Sequence, residues 1–483
     1  MPNHPSRPAL IAALSGGTMM LAGCQTYQSE PLDLAAHRAT WLARTPGDEP
    51  VREFAARLAA SSASADFDLS DGLHLAEGEI VALVYNPDLR LARLRAGVTA
   101  ATAEHAGLWD DPQFGLDFLS LTESASNPLV VTPGLALTIP ISGRLEAEKA
   151  RADASLASEL TRVAEQEWQT RTEVRRAWLR WSAARLKAEQ TERLLASIES
   201  LVASTGKLVE AGEIVRTEAA LFTIEQASQR HALLRFRGET AEAEQTLRSL
   251  LGLAPGAPLE LVPTVAFWVA SEDMTPEAMV ERNLILARLR DEYEVAEQTL
   301  WREVREQYPD LTIGPVAEFD RGDTLLGFSL ALPIPILNAN KQGIAEANAE
   351  RDLARAAFET AYERLAGSLA ATHARLENIR AQREIIETDI APMVDRLLTD
   401  AQSLLQIGEG GTLVLLESLT RVGQTQLTLI ETRLDESLAL AELSLLIGPS
   451  SVATIAPATP HATIEGEPAP ATHEGDTARE VNP

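Results

Sequence analysis

Four short segments alternate between apolar residues and small or polar residues, the pattern of a β-strand with two unlike faces. In each segment the apolar residues share one parity along the chain. These residues are Phe114, Leu116 and Phe118; Leu135, Leu137, Ile139 and Ile141; Leu311, Ile313 and Phe319; and Leu326, Phe328, Leu330, Leu332 and Ile334. Strands with lipid on one side and water on the other show this alternation, and so do strands packed on a soluble core. Pro315 weakens the third segment as a strand, because proline cannot donate to a sheet.

Long segments with the helical period follow the strands. From Ser142 to about Ser204 there is no proline, and apolar residues recur every three or four positions. Such a helix is on the order of 95 Å long, which no compact domain requires. Residues 379–404 repeat the apolar period in the second half. Because polar residues fill the other positions, we expect both helices to pack by an apolar seam against other helices, outside lipid.

The second half of the chain repeats the first. Four sequence landmarks recur in the same order, 195 or 196 residues later. They are residues 91–95 and 286–290, residues 135–141 and 330–336, Gly212-Glu213 and Gly408-Glu409, and Leu251-Gly252 and Ile447-Gly448. This order indicates an internal duplication. Each repeat is predicted to contain a helix, two strands, a very long helix, a glycine-marked turn and a returning helix, over residues 73–265 and 266–448.

The first 23 residues have the pattern of a bacterial lipoprotein leader. Arg7 precedes an apolar stretch, which ends in Leu-Ala-Gly before Cys24, the only cysteine. Cleavage there would leave the Cys24 thiol and its new amine for acyl chains that anchor the protein. In such lipoproteins a residue other than Asp after the cysteine, here Gln25, resembles the signal for passage to the outer membrane. Residues 24–72 would link the anchor to the first repeat, and residues 449–483 are predicted to be a disordered tail.

Charge and motifs exclude several functions. The chain of 483 residues carries a formal charge of −28, which disfavours nucleic acid as a partner. It contains no G-x-S-x-G motif, no complete G-x-G-x-x-G motif and no G-K-[ST] loop, and its histidines are scattered. We therefore expect no enzymatic activity, no cofactor and no metal site.

The strands give the expected fold class. Beyond the leader no apolar run reaches the ~18–20 residues of a membrane-spanning helix, so a membrane crossing must use strands. Four strands alone would leave unpaired edges in hydrocarbon. Three copies would supply twelve strands, enough for a barrel with a water-filled lumen. The expected fold is mainly α with a transmembrane β-barrel. A homotrimer would close this twelve-stranded barrel, which continues into a long, coiled α-helical barrel.

These features together resemble the TolC family of outer-membrane efflux proteins. The resemblance is carried by Asn86-Pro87-Asp88-Leu89 at the start of a helix, by the Leu-x-Leu-x-Ile-Pro-Ile strand ends, and by the Gly-Glu turns. The sequence at Cys24 is similar to the lipoprotein branch, which serves multidrug and heavy-metal export. The resemblance implies a homotrimeric channel in the outer membrane that reaches into the periplasm. It also implies a periplasmic adaptor protein and an inner-membrane pump as partners.

The resemblance also implies functional positions. The turns at Gly212-Glu213 and Gly408-Glu409 would be the periplasmic tips, where the adaptor docks. Glu417, and Glu218 at the analogous position of the first repeat, would line the periplasmic aperture. A helix-terminating glycine and a solvated helix face are the plainer interpretations of these residues.

Three functions are compatible with the sequence. The first is a passive, gated duct for small molecules, either drugs or metal ions, which the lipoprotein leader favours. The second is a duct for type I protein secretion. The third is a lipid-tethered periplasmic coiled coil with a structural role, whose strands would form a soluble sheet.

Overall fold

The computed structural model describes residues 27–61, 67–120, 129–266, 275–320, 323–406 and 411–449. The chain divides into one unit up to Arg44 and a second unit from Thr45 onward. In the first unit, helix α1 (Leu34–Ala43) begins after Asp33, whose carboxylate accepts a hydrogen bond from the Ala36 backbone N–H at 2.9 Å. All other elements belong to the second unit.

The second unit consists mainly of helices, as the sequence predicts. They are α2 (Glu49–Ser61), α3 (Leu75–Tyr85), α4 (Pro87–Glu104), α5 (Arg144–Ala211), α6 (Arg216–Leu250), α7 (Pro276–Arg282), α8 (Leu284–Glu306), α9 (Lys341–Ile385), α10 (Ala391–Gln406) and α11 (Thr412–Ile447). The long helix predicted from Ser142 is α5, which has 68 residues and is about 100 Å long. Its counterpart in the second repeat is divided into α9 and α10 by a π-helical turn, Ile386–Ile390.

The four predicted strands form one antiparallel sheet. They are β1 (Gln113–Ser120), β2 (Leu129–Ile139), β3 (Leu311–Asp320) and β4 (Asp323–Ala331), and their order in the sheet follows the chain. β2 and β3 pair across the boundary between the repeats, so the two hairpins make a single sheet. Pro315 lies within β3. The β2–β3 pairing is interrupted beside the proline, between Gly134–Val316 and Leu137–Ile313, and also away from it, between Val131–Phe319 and Gly134–Val316. The strand continues through both interruptions.

Helix α5 is the element to which both repeats attach. It packs against α4 and α6 of its own repeat and against α8 and α11 of the second, while α9 packs along α8 and α11. Ion pairs mark the two cross-repeat contacts: Arg288 of α8 with Glu165 at 2.6 Å, and Lys187 with Glu431 of α11 at 2.7 Å. The repeats thus share one helix layer and are not separate domains.

Two asparagines join helices end to end. Asn86 caps α4 by accepting the backbone N–H groups of Asp88 and Leu89, and its amide donates to the Leu250 carbonyl at the end of α6. One side chain therefore satisfies unpaired groups at the start of one helix and at the end of another.

The second repeat has the same joint. Asn283 caps α8 by accepting the Leu286 N–H, and its amide donates to the Leu446 carbonyl at 2.6 Å, near the end of α11. In both repeats a glycine with positive φ follows the returning helix: Gly252 lies against the carbonyl of Tyr85, and Gly448 against that of Arg282. A side chain would not fit at either position.

The segment that connects the repeats lies across α5 and α11. We call residues 261–265 the strap. The Trp178 indole donates to the Val262 carbonyl at 3.1 Å, the Ser182 hydroxyl accepts the Thr264 N–H at 3.0 Å, and the Ser437 hydroxyl donates to the Val265 carbonyl at 2.6 Å. Trp178 is fully buried in the main apolar cluster together with Val51 of α2 and Leu73. Val51 and Leu73 thus belong to the packed core around the strap.

Candidate functional site

The turn between α5 and α6 is well defined. Gly212 ends α5 in the left-handed conformation, with φ of 74°. The Glu213 backbone N–H donates to the Leu208 carbonyl at 2.9 Å, which completes a glycine-terminated helix end. Gly212 and Glu213 are both exposed. The first predicted docking turn is therefore accessible, and its backbone conformation requires the glycine.

The second turn is described only at its borders. Gly408 and Glu409 lie outside the described residues, which stop at Gln406 and resume at Gly411. Gly411 precedes the first residue of α11, Thr412.

The two returning helices meet at their first turns. The Thr412 hydroxyl at the start of α11 donates a hydrogen bond to the Glu218 carboxylate in the first turn of α6, at 2.5 Å. This contact joins the first turn of α6 to the first turn of α11, and so links the two repeats. The predicted aperture residue Glu218 therefore takes part in a contact between the returning helices.

Glu417 has a different environment. Its carboxylate accepts a hydrogen bond from Arg421, one turn further along α11, at 2.7 Å, and both side chains are about 60% exposed. An exposed pair of this kind contributes little to stability. Glu417 is thus accessible, and its charge is partly balanced by Arg421, a neighbour that the sequence analysis did not identify.

The register of the sheet separates two unlike faces, because residues opposite one another in an antiparallel pair point to the same side. The pairs Phe114–Leu135, Val131–Phe319 and Ile313–Leu330 fix the common face. The apolar residues on it are Phe114, Leu116, Phe118, Val131, Leu135, Leu137, Ile139, Leu311, Ile313, Phe319, Leu326, Phe328 and Leu330. The alternation seen in the sequence is therefore shared by all four strands on one side of the sheet.

The opposite face is small and polar along most of its length, with Leu119, Val130, Val316 and Leu325 as exceptions. The small and polar residues on it include Gln113, Gly115, Asp117, Thr132, Gly134, Thr138, Thr312, Gly314, Glu318, Gly327 and Ser329. The apolar face is not covered within the chain, since Phe114 is 70% exposed and Phe328 67% exposed. β1 and β4 are the outer strands of the sheet.

A charged cluster fixes α5 below the sheet. The Arg144 guanidinium donates to Asp310, immediately before β3, and to Asp110, which precedes β1, both at 2.6 Å. Partial burial raises the pKa of the Asp310 carboxyl, but hydrogen bonds from Arg144 and Ser142 outweigh this effect and leave the pKa below its ordinary value. The Asp310 carboxylate therefore stays ionised, and the cluster ties the first long helix to both hairpins.

Other predicted features fall where the structure gives no description. Cys24, the leader and residues 450–483 of the tail lie outside the described residues. Over the part of the chain that is described, no helix combines the length and the apolarity that crossing a bilayer requires. Within the same residues, no three His, Cys, Asp or Glu side chains are grouped to hold a metal ion.

Solved structures of bacterial membrane proteins share this fold. A membrane protein from Pseudomonas aeruginosa has 17% sequence identity and a TM-score of 0.67, covering 77% of this chain and 90% of that chain. The outer membrane protein VceC from Vibrio cholerae has 17% identity and a TM-score of 0.64, covering 78% of this chain and 97% of that chain. The MtrE outer membrane channel of Neisseria gonorrhoeae, in its open state, has 16% identity and a TM-score of 0.63, covering 77% of this chain and 89% of that chain.

A sequence comparison matches most of the first repeat to a known protein family. Residues 81–253 match the outer membrane efflux protein family. The resemblance to the TolC family is confirmed. The match begins inside α3 and ends just after α6, so it includes the first hairpin, α5 and the Gly212 turn. No curated protein is significantly similar in sequence to this chain. The TolC-type fold nevertheless covers both repeats.

Proposed function

We propose that this protein is the outer-membrane channel of a tripartite efflux system. It would be a passive, gated duct through which small molecules, drugs or metal ions, leave the cell. The family match over the first repeat and the TolC-type fold support this role. The observation that carries it is the sheet, whose apolar face is open to the surroundings and whose outer strands have free edges.

The free edges favour a closed assembly of identical chains. An unpaired strand edge in hydrocarbon costs several kcal/mol for each unsatisfied backbone group. β1 of one copy can pair with β4 of the next, and three copies would then complete twelve strands. The apolar face would contact lipid, and the polar face would line the lumen.

The helices favour the same arrangement. α6 exposes Leu221, Ile224 and Leu234, and α10 exposes Met393 and Leu397. Both sets recur at helical spacing, so each forms a seam for another helix. α6 belongs to the first repeat and α10 to the second, so α6 of one copy can cover α10 of a neighbouring copy. A homotrimer would bury both seams and continue the duct below the sheet.

The tips would receive the partners. We propose that a periplasmic adaptor docks at Gly212, Glu213, Gly408 and Glu409, and that an inner-membrane pump supplies the energy. Glu218 and Glu417 would line the periplasmic aperture. Cys24 would carry the lipid anchor in the outer membrane.

The decisive experiment uses the full-length mature protein. We expect an SDS-resistant or heat-modifiable trimer that conducts ions in planar bilayers, and a Cys24→Ser variant that stays in the membrane fraction once exported. Release of that variant into the periplasm as a soluble protein would instead support the tethered coiled coil. A trimer that never conducts would contradict the channel.

A further inference from the structure

An open groove runs along α5 between α6 and α11. Its volume is about 400 Å³, within the range of sites that take a drug-sized molecule. Four alanines contribute to its lining, so large side chains do not fill it; they are Ala177, Ala183, Ala184 and Ala243. The three alanines of α5 are buried, and Leu434 of α11 adds to the apolar surface. The groove therefore has an apolar floor.

The groove lies on the face of α5 opposite the strap. Trp178 and Ser182 bind the strap, whereas Arg180 and Ala184, each two residues further along the helix, line the groove. Two residues along an α-helix turn the direction of a side chain by about 200°. The strap and the groove are therefore on opposite faces of the helix layer.

The strap side of the helix layer carries a further layer of chain. Val51 of α2 and Val81 of α3 pack with Trp178 in the main apolar cluster. In the proposed duct, three such layers on the inside would fill the passage, so this side belongs on the outside. The groove then faces the passage.

The lining of the groove carries both signs of charge. Arg180 and Lys187 of α5 contribute to it, and so do Glu239 and Glu242 of α6. The Lys187 ammonium already donates a hydrogen bond to Glu431 of α11, at 2.7 Å. Lys187 is therefore neutralised within the chain, and the other three charges remain to be considered.

Two of these charges are unpaired within the part of the chain that the structure describes. Neither the Arg180 guanidinium nor the Glu242 carboxylate forms a hydrogen bond or an ion pair there, and both residues are exposed. Glu239 lies 3.7 Å from Arg235, one turn earlier in α6, a contact of little energy. An anion in the groove would face Glu239 and Glu242, and a cation would face Arg180. A ligand with both charges is complementary to both sides.

We propose that the groove binds a drug-sized zwitterionic amphiphile. Its apolar body would lie on the alanine floor, Arg180 would bind its carboxylate, and Glu242 would bind its ammonium group. A planar guanidinium matches a carboxylate with two parallel hydrogen bonds. Each copy would carry one such site on the wall of the passage. The inference rests on the proposed channel function and names a class of small molecule that the duct itself favours.

A fluorescence titration of the full-length mature trimer in detergent tests the site, with empty micelles as the blank. Three probes share the dansyl group, whose emission rises in apolar surroundings. At pH 7, ε-dansyl-lysine is a zwitterion, dansylcadaverine is a cation, and 6-(dansylamino)hexanoate is an anion. We expect the zwitterion to bind once per chain, with a Kd roughly two- to fivefold lower than either other probe, the scale of one exposed ion pair.

Single substitutions assign the two charges. Arg180→Gln should weaken binding of the zwitterion and the anion roughly two- to fivefold, and Glu242→Gln should do the same for the zwitterion and the cation. Arg185→Gln and Glu189→Gln are the matched controls. These two residues pair with each other within α5 and do not line the groove, so neither substitution should change the affinity of any probe.

The floor is tested separately from the charges. Ala184→Leu places a larger side chain in the groove, so all three probes should lose most of their gain in fluorescence. If this variant fails to assemble, Ala243→Leu provides the same comparison from α6. An unchanged gain in an assembled floor variant would overturn the site.

Conductance in planar bilayers separates the site from the channel. If the wild-type trimer conducts but the three probes bind equally, or Arg180→Gln matches Arg185→Gln, the site is wrong and the channel stands. If the wild type does not conduct, the channel is wrong, and the titrations still decide whether the groove binds the zwitterion. If the trimer binds none of the probes, the site is wrong whatever its conductance.

Discussion

The side-chain amide of Asn283 donates a hydrogen bond to the carbonyl oxygen of Leu446, 163 residues further along the chain. The same amide group caps α8, so a single buried side chain joins the start of α8 to the end of α11. Asn86 does the same for α4 and α6. The duplicated unit therefore includes a joint between two helices, in addition to the helices themselves.

Replacing this asparagine should destabilise the protein measurably. Asn283→Ala loses the cap and leaves the Leu446 carbonyl unpaired, at a cost of about 1–3 kcal/mol. Asn283→Asp should cost a similar amount, because a carboxylate retains the cap but cannot donate to the carbonyl. Thermal unfolding of the detergent-solubilised trimer measures both. Asn348→Ala is the control, since its amide bonds only within its own helix; an equal loss there would contradict the proposed role of the joint.

The sheet predicts that two glycines on its polar face differ in their tolerance of replacement by alanine. A side chain at Gly314 would overlap the Leu135 carbonyl of β2, so Gly314→Ala should force β2 and β3 apart. A Cβ atom added at Gly115 of β1 would meet no other atom within 4 Å, so Gly115→Ala should be tolerated. Heat-modifiability of the trimer on SDS gels reports the result. Similar behaviour of the two variants would mean that the β2–β3 contact does not limit assembly.

The predicted aperture residues can be tested by ion selectivity. If Glu218 and Glu417 line the aperture, Glu218→Gln and Glu417→Gln should each reduce the preference for cations, seen as a shift of the reversal potential in a salt gradient. Glu218→Gln should also raise conductance, because it weakens the contact with Thr412. Thr412→Val should raise conductance without changing selectivity, whereas Thr428→Val, which removes a bond within α11, should change neither. Unchanged selectivity in both Glu variants would remove these residues from the aperture.

The ion pairs of Glu387 with Arg383 and Arg433 predict a dependence of stability on pH. The hydrogen bond from Arg433 lowers the pKa of Glu387 below its ordinary value of 4.5, partial burial opposes this, and the Arg383 charge adds to it. Since the folded-state pKa is the lower one, the stabilisation is complete above the unfolded-state value and is lost as pH falls through the folded-state value. The difference in thermal midpoint between wild type and Glu387→Gln should therefore shrink as the pH falls below about 4.5. A constant difference would show that the carboxylate charge is not responsible.

The strands could be predicted because their two faces meet different surroundings. Phe114, Leu311 and Phe328 each lie on the apolar parity of their own segment, and the register places them on one side of the sheet. The long helices follow from their apolar period and, in α5, also from the absence of proline. The pairing of β2 with β3 was not predicted from the residues themselves, because it depends on how the two repeats meet.

The internal duplication was recognised, but the structure aligns its first landmark differently. The Leu-Ala-Arg-Leu-Arg match places Leu91 on Leu286, yet Leu91 is 53% exposed and Leu286 is fully buried. The asparagine joints instead align Leu89 with Leu286, each the third residue after its cap and each fully buried. The repeated Leu-Ala-Arg-Leu-Arg sequence therefore reflects helical periodicity. The residues that are structurally equivalent in the two repeats are those at equal distance from the capping asparagine.

Two features of the candidate site could not be predicted. The contact between Glu218 and Thr412 joins residues 194 positions apart and depends on the packing of α6 and α11. The π turn has a sequence cause in Pro392, but the helical period continues through it at Ile386, Ile390 and Leu397. An apolar period identifies the face of a helix and does not detect a change in its winding.

The strap sets a limit on how far a disturbance at the tips can spread. It is hydrogen-bonded to α5 through Ser182 and to α11 through Ser437, so it binds the two repeats at one level of the helix layer. Sliding of α11 along α5 at that level would break these bonds. If the protein is the proposed channel, the strap would confine a force from a docked partner to its tip side, and the sheet would not need to deform when the channel opens.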